Sequence, residues 1–63
     1  MFKKGDKLKA VGVRNDVGGL RYGMVVTATA DTEAGIFPDR PYQRWKDSAG
    51  NTGICYAYRF IKH

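Results

Sequence analysis

The side chains best suited to making or breaking bonds in this 63-residue sequence are Cys55, His63, Asp31 and Glu33. General acid–base work needs a His or a tuned carboxylate beside a polar partner. His63 is the last residue, where chains are commonly mobile. Asp31 and Glu33 stand two apart in a loop, with nothing nearby in sequence to raise a pKa. Cys55 has Tyr56 and Arg59 close by but no His, and free cysteines are among the most buried residues, so an inert thiol is expected. One Cys and one His cannot fill the four positions of a zinc site. The glycines do not form a phosphate loop, because no Gly-Lys-Ser/Thr occurs and no helix follows them. These residues argue against an enzyme, and neither a metal nor a cofactor is expected.

Binding chemistry is better supplied. Tyr42, Arg44 and Lys46 put an aromatic beside two cations on one face of a short run. Lys7 and Lys9 reach the same side if the strands pair suitably. Arg59 adds a cation flanked by Tyr58 and Phe60. Cations that track phosphates, beside rings on which bases stack, make a surface for single-stranded nucleic acid. The expected contact set is therefore Lys7, Lys9, Tyr42, Arg44, Lys46, Tyr58 and Arg59. A second reading uses the aromatics differently. Tyr22, Tyr42, Tyr56 and Tyr58 would line a groove for a protein segment, and the acidic loop at 31–39 would help choose a basic partner or mimic nucleic acid, as in an interaction or enzyme-inhibitor protein.

Short β-rich runs must position these residues. Eight glycines are spread along the chain, and no window shows the i, i+3, i+4, i+7 apolar spacing of a helix. Gly5-Asp6 is a turn signal before a first run, Lys7 to Val13, with Leu8 and Ala10 inward and Lys7 and Lys9 toward water. Arg14 to Gly19 reads as a loop, Leu20 as a core anchor and Tyr22-Gly23 as a bend. Met24 to Ala30 is the clearest strand, with Met24, Val26 and Ala28 inward. Pro38 and Pro41 exclude a central strand between Asp31 and Pro41, where Ile36 and Phe37 are expected to fold back as a lid. Tyr42 to Lys46 is a third run with Trp45 inward and Gln43 near a rim. Asp47 to Asn51 is a hairpin loop with Gly50 at the φ > 0 position. Thr52 to Tyr56 follows, then a tight turn and a last strand, Tyr58 to Ile61. The expected core is Leu8, Ala10, Leu20, Val26, Ala28, Trp45, Ile54 and Phe60. Five short strands in this order predict an all-β, five-stranded SH3-like barrel. An OB-fold fits less well, since its strands are longer and a helix normally interrupts them.

Length allows one domain, residues 1–63. A chain of this size buries only about 60% of the surface its unfolded form exposes. A compact sheet or self-association must supply stability, because Cys55 is alone and cannot form an internal disulfide. The expected state is a monomer or a weak homodimer. The net charge is +5, from 11 Lys+Arg against 6 Asp+Glu. Asp31, Glu33 and Asp39 fall in nine residues with no Lys or Arg, so the remainder of the chain carries +8. That balance favours polyanionic partners. No apolar run approaches the ~20 residues of a membrane span, no apolar segment follows Lys3 and Lys4 as in a signal peptide, and a single cysteine fits a reducing compartment. A cytoplasmic protein with no membrane partner is expected.

The pattern FKKGDKLKAV…LRYGMVVTATAD…YQRWKDSAGNTG…YAYRF resembles small phage-encoded and prophage-encoded proteins of SH3-like fold. Their loose pattern is matched by Gly5-Asp6, Leu20 to Gly23, Val26-Thr27-Ala28, Asp47 to Gly50 and Tyr58-Arg59-Phe60. The resemblance spans nearly the whole chain. It departs at the acidic Asp31 to Pro41 stretch and at Val26, where an aromatic would be expected. The opening Gly-Asp is also similar to the start of KOW-type domains. These are turn and core positions, so the resemblance implies a fold and no catalytic residue. It implies a bacterial host protein as the alternative partner to nucleic acid, and the host cytoplasm as the place of action.

Overall fold

The computed structural model of the chain describes residues 1–13 and 19–63. Five strands form one antiparallel sheet: β1 (Lys7–Ala10), β2 (Val25–Ala28), β3 (Tyr42–Lys46), β4 (Thr52–Tyr56) and β5 (Phe60–Lys62). Their order across the sheet is β4-β3-β2-β1-β5. The first four strands make a meander, and β5 returns to pair with the far side of β1. The all-β class and the five strands agree with the sequence. The sheet is not closed by strand pairing, so β4 and β5 are its two edges.

Alternation decides which residues reach the core. Leu8, Ala10, Leu20, Val26, Ala28, Trp45 and Phe60 are all buried, as expected. Trp45 lies opposite Gly53 on β4. A Cβ built on Gly53 would stand 2.5 Å from Cζ2 of the indole, so the ring occupies the space a side chain would take. Gly53 and Cys55 therefore share the inner face with Trp45 and Gln43. Ile54 must then point outward, and it is 46% exposed rather than in the core.

Gln43 was expected at a rim and is instead fully buried. Its amide nitrogen donates to the carbonyls of Ala30 (2.8 Å) and Arg44 (3.0 Å), and its Oε1 accepts from Thr32 Oγ1 at 2.7 Å. The same hydroxyl accepts from the Phe2 N–H at 3.0 Å, while the Thr32 N–H donates to the Phe2 carbonyl at 3.1 Å. A buried amide is tolerated when its hydrogen-bonding capacity is met. This one ties the chain start and residues 30–32 to β3, and it explains the burial of Phe2.

Three element boundaries differ from the sequence reading. The first run stops at Ala10, because the N–H groups of Val11 and Gly12 both donate to the Arg59 carbonyl (2.8 and 3.0 Å). The second run is shorter than expected at both ends. The strand expected at Tyr58 to Ile61 begins instead as a 3-10 turn, Ala57–Arg59, before β5. In a 3-10 turn residues i and i+3 line up, so Ala57 and Phe60 both reach the core. Ile36 and Phe37 form no lid; they are 84% and 53% exposed. The loop expected at Arg14 to Gly19 lies outside the described residues except for Gly19, whose φ of 90° fits the left-handed role read for it. Gly50, at φ 89°, closes the Asp47 to Asn51 hairpin as expected. There Asp47 Oδ1 accepts the N–H groups of Ala49 and Asn51 at 3.0 and 2.8 Å.

Two substitutions test this core. Trp45→Ala is expected to cost about 3–5 kcal/mol. Gly53→Ala, a smaller chemical change, is expected to cost about 1–3 kcal/mol, because the added methyl meets a buried ring that cannot move aside. Urea melts followed by circular dichroism measure both. A Gly53→Ala variant as stable as the parent would mean that the indole does not rest on β4.

Candidate functional site

Cross-strand pairing assembles the outer face. On β3, Tyr42, Arg44 and Lys46 alternate with the buried Gln43 and Trp45. Lys46 pairs with Thr27, Thr27 with Lys7, and Val25 with Lys9. Residues directly opposite each other share a face, so Lys7, Lys9, Tyr42, Arg44 and Lys46 all lie on one side of the sheet. Strand β2 separates β1 from β3. Lys7 and Lys46 are thus two strand spacings apart, roughly 10 Å at the backbone. Lys7 Nζ donates to Thr27 Oγ1 at 2.9 Å. Among the described residues, Lys7, Lys9 and Lys46 form no ion pair.

Arg44 differs. Its Nε and Nη2 donate to Oε2 and Oε1 of Glu33 at 3.3 and 3.4 Å. Glu33 is held there by reciprocal main-chain bonds with Tyr42, at 2.9 and 2.8 Å. The sequence reading took Arg44 as an available cation and Glu33 as a loop carboxylate with nothing near it, but each meets the other. Asp31 is also engaged, accepting from the Lys4 N–H at 2.9 Å and lying 4.0 Å from Lys3 Nζ. The acidic segment thus spends two of its three charges on the chain's own basic groups.

The tyrosines form a ladder. Tyr42 and Tyr56 are direct cross-strand partners whose rings stack at 5.4 Å between centroids and 13° between planes. Tyr58, on the 3-10 turn, stacks on Tyr56 at 5.4 Å and 14°. The Arg59 guanidinium lies 5.5 Å from the Tyr58 centroid, and its Nη1 donates to the Gly12 carbonyl at 2.8 Å. Gly35 closes in on Tyr42, where an added Cβ would stand 3.3 Å from Cε2. The inner ring faces are therefore occupied by one another, and the ladder offers water its edges and hydroxyls. Tyr22, named with these three for a groove, stands in the turn before β2, exposed and outside the stack.

Cys55 is half-buried beside the core, and its Sγ donates weakly to the Tyr56 carbonyl at 3.7 Å. Burial pushes its thiol up to about 11, and the nearby Arg59 charge offsets only part of that. His63 is exposed, with its N–H bonded to the Lys7 carbonyl at 2.8 Å. Among the described residues no three His, Cys, Asp or Glu side chains come together as metal ligands, and no helix is long and apolar enough to cross a membrane.

Sequence reasoning placed five contact residues on their common face but missed the Glu33–Arg44 pair and the outward Ile54. The second was recoverable. A hairpin loop of Asp47 to Asn51 already sets Lys46 opposite Thr52 and Arg44 opposite Ile54. The first had no local signal, since the pair is brought together across eleven residues by the Gln43 network. The chain matches no protein-family model, no curated protein and no solved structure.

The cysteine gives a pH test. Its folded pKa near 11 exceeds the ordinary 9.0, so the folded thiolate fraction at neutral pH is about a hundredfold below that of a free thiol. Iodoacetamide is expected to label the native chain far more slowly than the urea-unfolded chain. Between pH about 9 and about 11 the unfolded chain releases this proton while the folded chain keeps it. The Cys55 contribution is thus present below that window and is lost as pH rises through it. Comparing alkaline melts of the parent and Cys55→Ala isolates the difference.

Proposed function

We propose that this chain is a non-enzymatic binding module whose outer sheet face takes single-stranded nucleic acid. One observation carries the reading: Lys7, Lys9 and Lys46 share the outer face with Tyr42, the first ring of the tyrosine ladder, with no carboxylate paired to them among the described residues. Strand order supports the finer fold reading. A meander whose last strand returns beside the first is the order of an SH3-like barrel, in line with the resemblance to small phage-encoded proteins of that fold. Action in a reducing cytoplasm belongs to the same proposal and rests on the lone, protonated Cys55.

The ligand's phosphates would meet the lysines, and its bases would meet the exposed edge and hydroxyl of Tyr58, whose ring lies between Tyr56 and the Arg59 guanidinium. The paired Arg44 contributes less than a free cation, because the Glu33 carboxylate offsets its charge and engages its Nε and Nη2. Arg59 acts through Tyr58 and Gly12 rather than as a free cation. A second reading, docking of a bacterial host protein, draws on one observation. The ladder presents tyrosine edges and hydroxyls rather than open ring faces, which suits a polypeptide at least as well as a base.

A fluorescence titration with a short single strand at several salt concentrations tests the first reading. Three lysine contacts give an expected slope of log K against log salt of about −2, at roughly −0.7 per phosphate. Lys46→Ala is expected to remove nearly one contact from that slope, whereas Arg44→Ala leaves it almost unchanged. Glu33→Gln frees the Arg44 guanidinium and is expected to steepen the slope by up to one contact. Tyr58→Ala is expected to weaken binding with little change in slope, because an edge or hydroxyl contact to a base releases no counterion. Absence of binding at low salt ends the nucleic-acid reading. Recovery of a host protein from nuclease-treated lysate then supports docking.

A further inference from the structure

The two edges of the sheet are guarded very differently. β5 is three residues long and carries Lys62, whose ammonium lies 3.6 Å from Asp6. β4 is five residues long, Thr52 to Tyr56, and contains no charge and no proline. Natural edge strands usually carry lysine, proline or a bulge to stop pairing with other chains. None of these stands in β4.

The hydrogen-bond pattern fixes which backbone groups β4 leaves open. In an antiparallel strand successive residues aim their N–H and C=O alternately to either side. Tyr42 exchanges both of its bonds with Glu33, and the Arg44 carbonyl accepts from the Thr29 N–H at 3.1 Å. Both face away from β4. Gln43 and Trp45 therefore bond to β4, through their partners Cys55 and Gly53. The N–H and C=O groups of Thr52 and Ile54 and the N–H of Tyr56 point off the sheet with no main-chain bond to a described residue, while the Tyr56 carbonyl is taken by the 3-10 turn that follows and by the Cys55 thiol. Ile54, at the centre of this edge, is also half-exposed on the outer face.

We infer that the β4 edge is a self-association surface, pairing antiparallel with the β4 edge of a second copy about a two-fold axis at Ile54. The edge is complementary to itself. Antiparallel pairing about its centre sets Ile54 against Ile54 of the second copy and Thr52 against Tyr56 in both directions. Parity matches too, because the residues facing each other are the ones with open backbone groups. An isologous contact of this kind is closed and stops at two copies.

Charge singles out a second copy as an acceptable occupant despite the net +5. β4 itself is neutral, and the cation beside Ile54 in the cross-strand row is Arg44, which Glu33 already neutralises. Lys46 stands one strand back, beside Thr52. A five-residue strand pair buries far less than a standard protein interface, so the association is weak and belongs to concentrated protein. Pairing would join the two sheets edge to edge and place both lysine faces on one continuous surface.

Sedimentation of the full chain from micromolar to millimolar concentration tests this, together with amide hydrogen exchange. A monomer–dimer equilibrium is expected, with exchange at Ile54 and Tyr56 slowing as concentration rises. Added salt is expected to strengthen the dimer by screening like-charged protomers. Ile54→Lys, a substitution at an exposed position, is expected to abolish the dimer while circular dichroism shows an unchanged fold. Ile61→Lys on the opposite edge is expected to leave it intact. A chain that stays monomeric at millimolar concentration overturns the inference. So does a dimer whose concentration-dependent protection lies away from β4, or one that survives Ile54→Lys. Exchange at β4 that slows only when a host protein is added, with no dimer, assigns the edge to that partner and overturns self-association.

Discussion

The contact of the Trp45 indole with the bare backbone of Gly53 sets the parity of β4, and with it everything the outer face presents. A strand has only two faces, and shifting the parity by one residue exchanges them completely. With Gly53 fixed inward, Cys55 must follow it, while Thr52, Ile54 and Tyr56 turn outward. Tyr56 can then bridge Tyr42 and Tyr58 into one ladder. The same parity makes Thr52, Ile54 and Tyr56 the residues whose main-chain groups face off the open edge. One packing requirement inside the core thus determines both the aromatic strip and the edge.

A second constraint, the Gln43 amide, governs charge rather than shape. By holding Ala30 and Thr32 against β3 it delivers Glu33 to Tyr42, and the main-chain pair there delivers the carboxylate to Arg44. The pair is exposed, so its direct worth to stability is small, about 0–1 kcal/mol. Its effect on the field of the surface is larger. It removes the central cation of the row Tyr42, Arg44, Lys46 and shifts the positive potential toward Lys46, Lys7 and Lys9. A simple count of charges along the sequence places the acidic segment apart from the basic body, whereas the fold interleaves the two.

The strands were legible because their signals are local. Alternation marks β3 and β4 with their full bounds, and Gly50 marks the turn between them. The inward set was legible wherever the large residue on a strand is also the inward one, as with Leu8, Val26 and Trp45. It failed at Ile54, where ranking by size chose the isoleucine over the adjacent glycine and ignored what the facing tryptophan needs. It failed again at Gln43, because a buried amide is intelligible only through partners eleven and thirteen residues away. The last strand was misread at its start because Ala57 and Phe60 need a 3-10 spacing to reach the core together, and a three-residue turn leaves no periodic signal. The site followed the same division. Lysines on short strands are readable by parity, but whether a cation is free depends on a carboxylate brought in by tertiary contact.

Tyr56 is where the face and the edge meet. Its ring belongs to the ladder, while its main-chain N–H belongs to the open side of β4. Whatever orders the edge therefore also restrains the middle ring of the stack, and through it Tyr42 and Tyr58. The two kinds of contact respond to salt in opposite directions. Phosphate binding releases counterions and weakens as salt rises, whereas contact between two like-charged copies is relieved by screening. If the proposed polyanion binding and the inferred edge pairing both hold, the polyanion is favoured when the protein is dilute and at low ionic strength, and the edge when it is concentrated and at high ionic strength. Both proposals rest on one sheet whose positive charge lies on the strands one or more back from a neutral edge.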